Sequence, residues 1–331
     1  MSSMFQGALV FNQPINYNST TGSWNTSNVT NMNYMFYNAT VFNQNISNWV
    51  VTKVTTNPPS NFSTGSALSP ANNPFTIYLN LDANGVTVKY VESSIATVPT
   101  FVYANPRGTG SEWFAVVNDT SKSMIRDYAK NLSSGSGRTY FTTSGNVVPF
   151  KNIVTTLATD MSLLFFYAST FNEPIASWDT SNVTNMTHMF EGATVFNQNI
   201  GSWNTANVTN MELMFHYATA FNQPLNSWNT ANVTNMGGMF HTASKFNQPL
   251  NSWNTSKVTN MSSIFQGASI FNGNITTWNT ANVTTMDYMF YGAEVFNQNI
   301  RAWVVTKVTP KPPTDFSTSS ALTTANSPVW T

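Results

Sequence analysis

Residues 221–243 read FNQPLNSWNTANVTNMGGMFHTA, and the same phrase, little altered, stands before and after them. Its tryptophan recurs at Trp178, Trp203, Trp228, Trp253, Trp278 and Trp303, always 25 residues apart. Two phenylalanine columns, Phe171 to Phe296 and Phe165 to Phe290, keep the same step. A fixed period of this length marks an array in which each unit is too small to bury its apolar face alone and does so against its neighbours. A shorter copy opens the chain with Phe11 and Phe42, Trp24 and Trp49. Its first turn carries six extra residues between Ile15 and Trp24, which marks that corner as a surface loop.

Within one unit Met236, Met239, Phe240 and Ala243 fall at i, i+3, i+4 and i+7. That spacing predicts a two-turn helix, with Asn185, Asn210, Asn235, Asn260 and Thr285 as its successive N-caps. Leu225 through Trp228 to Val233 predicts an extended segment pairing in parallel with its neighbours. The expected fold is a repeat solenoid of 25-residue coils, each a short parallel strand plus a short helix, with an inserted small β-rich module. The six tryptophans form its core ladder. Residues 1–75 are a short block of two coils plus a cap, 76–150 the β-rich insert, and 151–331 the main solenoid of six coils plus a C-terminal cap. The insert predicts a hairpin around Asn84-Gly85, strands at TFVYA and EWFAVV, and a short helix from Ser121 to Lys130. Pro58-Pro59 and Pro312-Pro313 occupy the place of the helix and are expected to block a further coil.

The 331 residues carry 13 basic and 13 acidic side chains, only 8% charged in all, and no cysteine. A zero balance without a basic run gives nothing to steer toward nucleic acid or an anionic membrane. Lack of cysteine excludes disulfides and thiolate zinc sites. No run of 18 apolar residues exists, so no membrane insertion is expected, and the first 20 residues show no signal peptide. Solubility must come from Asn, Ser and Thr, as in many extracellular proteins.

WNTSNVTNMNYMF, WDTSNVTNMTHMF and FNQPLNSWNTANVTNMGGMF resemble the repeat of the BspA-like surface-protein family, a leucine-rich-repeat-like group of bacterial and protist surfaces and some large algal viruses. The resemblance covers residues 1–56 and about 150–309. It implies an extracellular or surface solenoid used for adhesion, recognition or display, with no catalytic residue to carry over.

No catalytic, cofactor or metal constellation is legible, and no enzyme is expected. His216 and His241 share a repeat position and should stack about 5 Å apart. No carboxylate is expected in their column, so they read as surface residues. Asp82-Ala83-Asn84-Gly85 reads as a turn rather than a calcium loop. Carbohydrate stacking on the tryptophans is disfavoured because they recur in phase with core positions, which leaves Trp113 as the freer candidate.

The sequons N-x-[ST] offer covalent glycan sites. Asn28, Asn182, Asn207, Asn232 and Asn282 share a column that elsewhere holds Lys53, Lys257 and Lys307, and a lysine must reach water. Asn18, Asn118 and Asn131 are further candidates. Asn185 and Asn260 are expected to be unsuitable because capping engages them.

These features predict a structural or display protein of an extracellular fibre, appendage or virion surface, glycosylated and self-associating head to tail. The alternative is an adhesin or receptor binding a protein or glycan through a solenoid face or the insert. Head-to-tail assembly is expected because Met1-Ser2-Ser3-Met4-Phe5 aligns with the middle of a coil at Met261 to Phe265, and Ser327 to Thr331 aligns with the lead into the first hairpin. The departures from the repeat (Glu191, Glu212, His216, Lys245, Arg301) show no patch in sequence, which favours display over recognition.

Overall fold

The computed structural model describes residues 1–15, 24–51, 53–55, 59–69, 72–75, 79–90, 99–104, 106–107, 109, 112–132, 141–143 and 145–330. They divide into two compact units, Met1–Asn80 with Tyr90–Glu112, and Leu81–Lys89 with Trp113–Thr331. Residues 76–150, expected as one insert, are thus shared between the two. The extra residues between Ile15 and Trp24, and Asn18 with them, lie outside the described residues.

In the second unit the 25-residue period is written into the backbone. Met211 N donates to Asn235 O (3.0 Å), Leu213 N to Gly237 O (2.9 Å), Phe215 N to Met239 O (2.8 Å) and Tyr217 N to His241 O (2.9 Å). Every second N–H therefore reaches the next repeat. The groups between them turn back inside their own repeat: Met214 N to Met211 O (3.3 Å), His216 N to Leu213 O (3.2 Å), Ala218 N to Phe215 O (3.0 Å). Single-residue parallel bridges link Asp160, Asn185, Asn210, Asn235, Asn260 and Thr285 in succession.

A train of turns stands where the spacing predicted a helix. A helix spends each interior N–H on its own i−4 carbonyl, and here half of them are spent on the neighbouring repeat. The chain achieves this by entering the left-handed region twice per repeat, at Leu213 (φ 54°) and Tyr217 (φ 55°) in one and at Gly238 (φ 61°) and Thr242 (φ 57°) in the next. The apolar spacing serves the turns equally well, since Met236, Met239, Phe240 and Ala243 are all fully buried. Asn185, Asn210, Asn235 and Asn260 are accordingly not helix caps. Each side-chain oxygen accepts the N–H two residues on, at 3.0–3.1 Å. Gly238→Ala separates the two geometries by sign. In a helix it would stabilise by about 1 kcal/mol; at φ 61°, with the Leu213 side chain against the α-hydrogen, it should cost about 1–2 kcal/mol. Urea denaturation of the variant reads the difference.

The tryptophans face inward. Trp203, Trp228, Trp253 and Trp278 are at most 4% exposed, and each indole N–H donates to a carbonyl of the preceding repeat, Trp228 Nε1 to Ile200 O at 3.1 Å. Burial of so large a ring is favourable when its N–H finds a partner. Rings stack face to face along the columns, Trp228 on Trp253 at 6.5 Å and 2°, Phe215 on Phe240 at 5.6 Å and 3°. Buried Thr205, Thr230 and Thr255 add hydroxyl bonds to the next repeat at 2.9–3.0 Å.

The proline segment does not end the stack where expected. Tyr288, Phe290 and Gly292 still donate forward, to Thr314, Phe316 and Thr318 at 2.8–2.9 Å. One further layer follows Pro312-Pro313, offset by two extra residues, and there the ring geometry changes. Phe316 meets Phe290 edge-on (5.4 Å, 88°) and Trp330 meets Phe316 likewise (4.9 Å, 78°).

Ahead of the repeats, β1 (Glu112–Asn118) leads through a short 3-10 turn into α1 (Lys122–Lys130), matching the predicted strand and helix. β2 (Ile153–Leu157) pairs in parallel with β1. Asp119 accepts from the backbone of Thr159 and Asp160, at 2.8 and 3.1 Å, and Lys122 pairs with Asp160 at 2.8 Å, fixing this segment to the first repeat. Burial alone would raise the Asp160 carboxyl, but the bonds from Lys122 and Ser162 outweigh it and hold it below its ordinary value. The tip Leu81–Lys89 closes through Asp82 N to Thr87 O (2.8 Å) with Gly85 at φ 71°, as the Asn-Gly pair predicts, and Lys89 pairs with Asp82 at 2.9 Å.

The first unit has the same local construction. Ser3, Phe5 and Gly7 donate to Asn33, Met35 and Tyr37 at 2.8–2.9 Å, and Tyr34, Phe36 and Asn38 donate on to Ser60, Phe62 and Thr64. Phe36, Phe42, Met32 and Met35 are fully buried. Phe5 stacks on Phe36 (5.3 Å, 3°), whereas Phe62 meets Phe36 edge-on (5.3 Å, 85°), the same closing geometry as in the second unit.

Candidate recognition face

The turn segment that replaces the expected helix carries the variable residues of the second unit. Its positions of positive φ hold Leu163, His188, Leu213 and Gly238 in one column and Tyr167, Gly192, Tyr217 and Thr242 in another. Between them runs the column Phe166, Glu191, His216, His241, Gln266 and Tyr291, each 25 residues after the last. A carboxyl group therefore does share the histidine column, contrary to the expectation; 191 plus 25 is 216, and the sequence alone contained that signal.

Two of the five departures, Glu191 and His216, come together in a patch with His188 and His241, contrary to expectation. Glu191, only 7% exposed, hydrogen-bonds His188 Nδ1 through one oxygen and places the other 3.4 Å from His216 Nδ1. The His216 ring stacks on His241 (4.4 Å, 16°) and touches Tyr217 (4.4 Å). Phe166 meets His188 edge-on at 6.3 Å and Tyr167 at 4.6 Å, with the Lys130 ammonium 5.9 Å over its ring. Burial, first, and then the adjacent His216 ring depress the His241 imidazole to about 4. Burial likewise lowers His216, against the pull of Glu191.

Two rings of the patch face solvent. Tyr167 is 53% and Tyr217 44% exposed. They occupy one column two repeats apart, with matching φ of 52° and 55° and glycine between them. Gly192 is required there, because a Cβ would stand 2.7 Å from the Tyr167 ring. The result is two aromatic platforms about 10 Å apart at strand-like spacing, bordered by His188, Glu191 and Thr242.

The other predicted site residues lie elsewhere. Asn28, Asn182, Asn207, Asn232 and Asn282 are exposed. The amide nitrogens of the last four, however, donate to carbonyls of the preceding repeat at 2.7–2.8 Å. Lys53, Lys257 and Lys307 reach the side-chain oxygens of Asn28, Asn232 and Asn282 at 2.6–2.7 Å. Asn118 caps the 3-10 turn through Thr120 N, and Asn131 donates to Asp127 O (2.8 Å) at the end of α1. A second asparagine ladder, Asn172 through Asn297, was not singled out from sequence; each oxygen accepts the N–H of the next member at 2.8–3.1 Å. Among the described residues no group of three or more His, Asp or Glu is placed to hold a metal ion, and no helix is long and apolar enough to cross a membrane.

Stacked 25-residue repeats with one variable face define a tandem-repeat protein. The chain belongs to the family described as Mycoplasma protein of unknown function, DUF285, which matches residues 1–73, 138–251 and 225–325. No curated protein and no solved structure matches the chain.

Proposed function

We propose that this is a non-enzymatic surface protein, a BspA-like solenoid that displays a recognition face on a rigid scaffold. The observation that carries the reading is the segregation of variability. The Trp, Phe, Asn and Thr columns are nearly constant, while the turn segment varies: its histidines, with Glu191, Tyr167 and Tyr217, stand on the first four repeats, and Asp287, Tyr288 and Tyr291 on a later one. A shaped ligand needs such a departure from sameness, and a fibre does not. The adhesin or receptor reading therefore stands ahead of the purely structural one, which the uniform columns favour for the rest of the array. Extracellular or virion-surface display follows from the low charge, the polar composition and the resemblance in the repeat. Head-to-tail association and glycans on the asparagine column remain part of the display reading.

The two tyrosine platforms suit an extended glycan, whose sugar faces stack on aromatic rings while the half-exposed side chains of His188 and Thr242 border it. Tyr167→Gly and Tyr217→Gly test this cleanly, because glycine already occupies that column at Gly192, Gly267 and Gly292 with φ near +68°. Each should leave thermal stability unchanged and lower affinity about tenfold, from the loss of one aromatic contact. Titration against immobilised β-linked hexose oligosaccharides, and against a panel of extracellular proteins, gives the readout. Unchanged binding in both variants would return the fibre reading to first place.

A further inference from the structure

We propose that the stacked imidazoles of His216 and His241 make the recognition face acid-labile, so that bound ligand is released on acidification. The inference rests on the recognition reading for its purpose and on independent geometry for its mechanism. The two rings lie in register on successive repeats, 4.4 Å apart at 16°, at the joint between the repeats that carry Tyr217 and Thr242. Both ring nitrogens of His216 are buried, and the one polar partner near them is Glu191 Oε1, at a long 3.4 Å from Nδ1. The ionisable groups facing the pair are Glu191 and His188 on the preceding repeat and the Tyr217 phenol beside them. On the far side the column continues with Gln266, which carries no charge. One carboxyl group, already bonded to His188, thus faces two imidazoles. Protonating both would place like charges in van der Waals contact, and like charges in one site disfavour ionisation of both.

The sign follows from where the protons go. Above about 6.5 both imidazoles are neutral folded or unfolded, and nothing is lost. As the pH falls from there toward about 4, the unfolded segment takes protons that the folded His241 refuses, so the folded joint loses stability through that window. Below it the folded ring also charges, and the loss levels off. The backbone bonds at risk are those joining the two repeats, Leu213 N to Gly237 O and Tyr217 N to His241 O.

Hydrogen exchange of the full chain, corrected for intrinsic rates, provides the test without any ligand. Between pH 7 and pH 5, opening across residues 211–243 should rise on the order of tenfold or more, while the repeats carrying Phe265 and Phe290 change little. His241→Gln should flatten that response, since glutamine is native to the column at Gln266. Uniform exchange across the repeats, or an unflattened response in the variant, would overturn the proposal. Should the variant not fold, the imidazole titration of His241 followed by NMR in the unaltered chain decides, and a midpoint near 6.5 would overturn it. Because this readout needs no ligand, an acid-labile joint in a chain that binds nothing would sink the recognition reading alone, while binding without the labile joint would sink only the present inference.

Discussion

Trp228→Ala is expected to destabilise the second unit by about 3–5 kcal/mol. The ring is 2% exposed, lies parallel to Trp253 at 6.5 Å and touches Phe215 at 6.4 Å. Its removal leaves a cavity that the flanking repeats cannot fill, because their own side chains are held in register by backbone bonds on either side. It also removes the indole N–H bond to Ile200 O at 3.1 Å, so a lost hydrogen bond adds to the lost packing, although that carbonyl keeps the Trp203 N–H at 3.1 Å. Thermal unfolding by circular dichroism measures the effect. Trp303→Ala provides an internal comparison: that indole N–H is buried without an acceptor, so its loss should cost less than that of Trp228.

The second large effect is expected at Asn260. Its side-chain oxygen accepts from Ser262 N (3.0 Å) and from the Thr285 hydroxyl (2.9 Å), and its amide donates to Asn235 Oδ1 (3.0 Å). A simple cap deletion costs about 1 kcal/mol. Asn260→Ala removes three bonds, two of which link three successive repeats, and about 2–3 kcal/mol is expected, since half-buried partners recover only part of their bonding from water. Urea unfolding distinguishes the two magnitudes. A loss no larger than that of a cap would mean that the ladder does not couple the repeats.

Burial was legible in the sequence because it depends on spacing. Trp228, Met236, Met239, Phe240 and Ala243 are all inside, as their recurrence demands. Secondary structure was not, because the i, i+3, i+4, i+7 pattern fits a helix and a train of turns equally. What separates them is the destination of the N–H of Leu213 or Gly238, and that destination is a carbonyl in another repeat. Glycine at Gly192, Gly238, Gly267 and Gly292 was the local hint of positive φ. Leucine, histidine and tyrosine at equivalent positions obscured it. The histidine patch was hidden differently: Glu191 and His216 share a column by arithmetic, but His188 joins only because the turn swings its ring back over three residues to the Glu191 carboxyl. The prolines misled for a related reason. Proline forbids a helix, and no helix had to be continued, so the layer holding Phe316 could form beyond it.

The alternating bond pattern also gives the repeats a directional mechanical response. The covalent chain runs around each repeat, whereas the N–H groups of Leu213, Phe215 and Tyr217 all point to the next one. Tension that separates neighbouring repeats would therefore load one short row of bonds at a time and peel the array, as a zip opens, instead of shearing many rows together. Each row that parts frees 25 residues, on the order of 85 Å of extended chain, before the next row is loaded. A chain built this way yields in steps while most of its repeats stay folded.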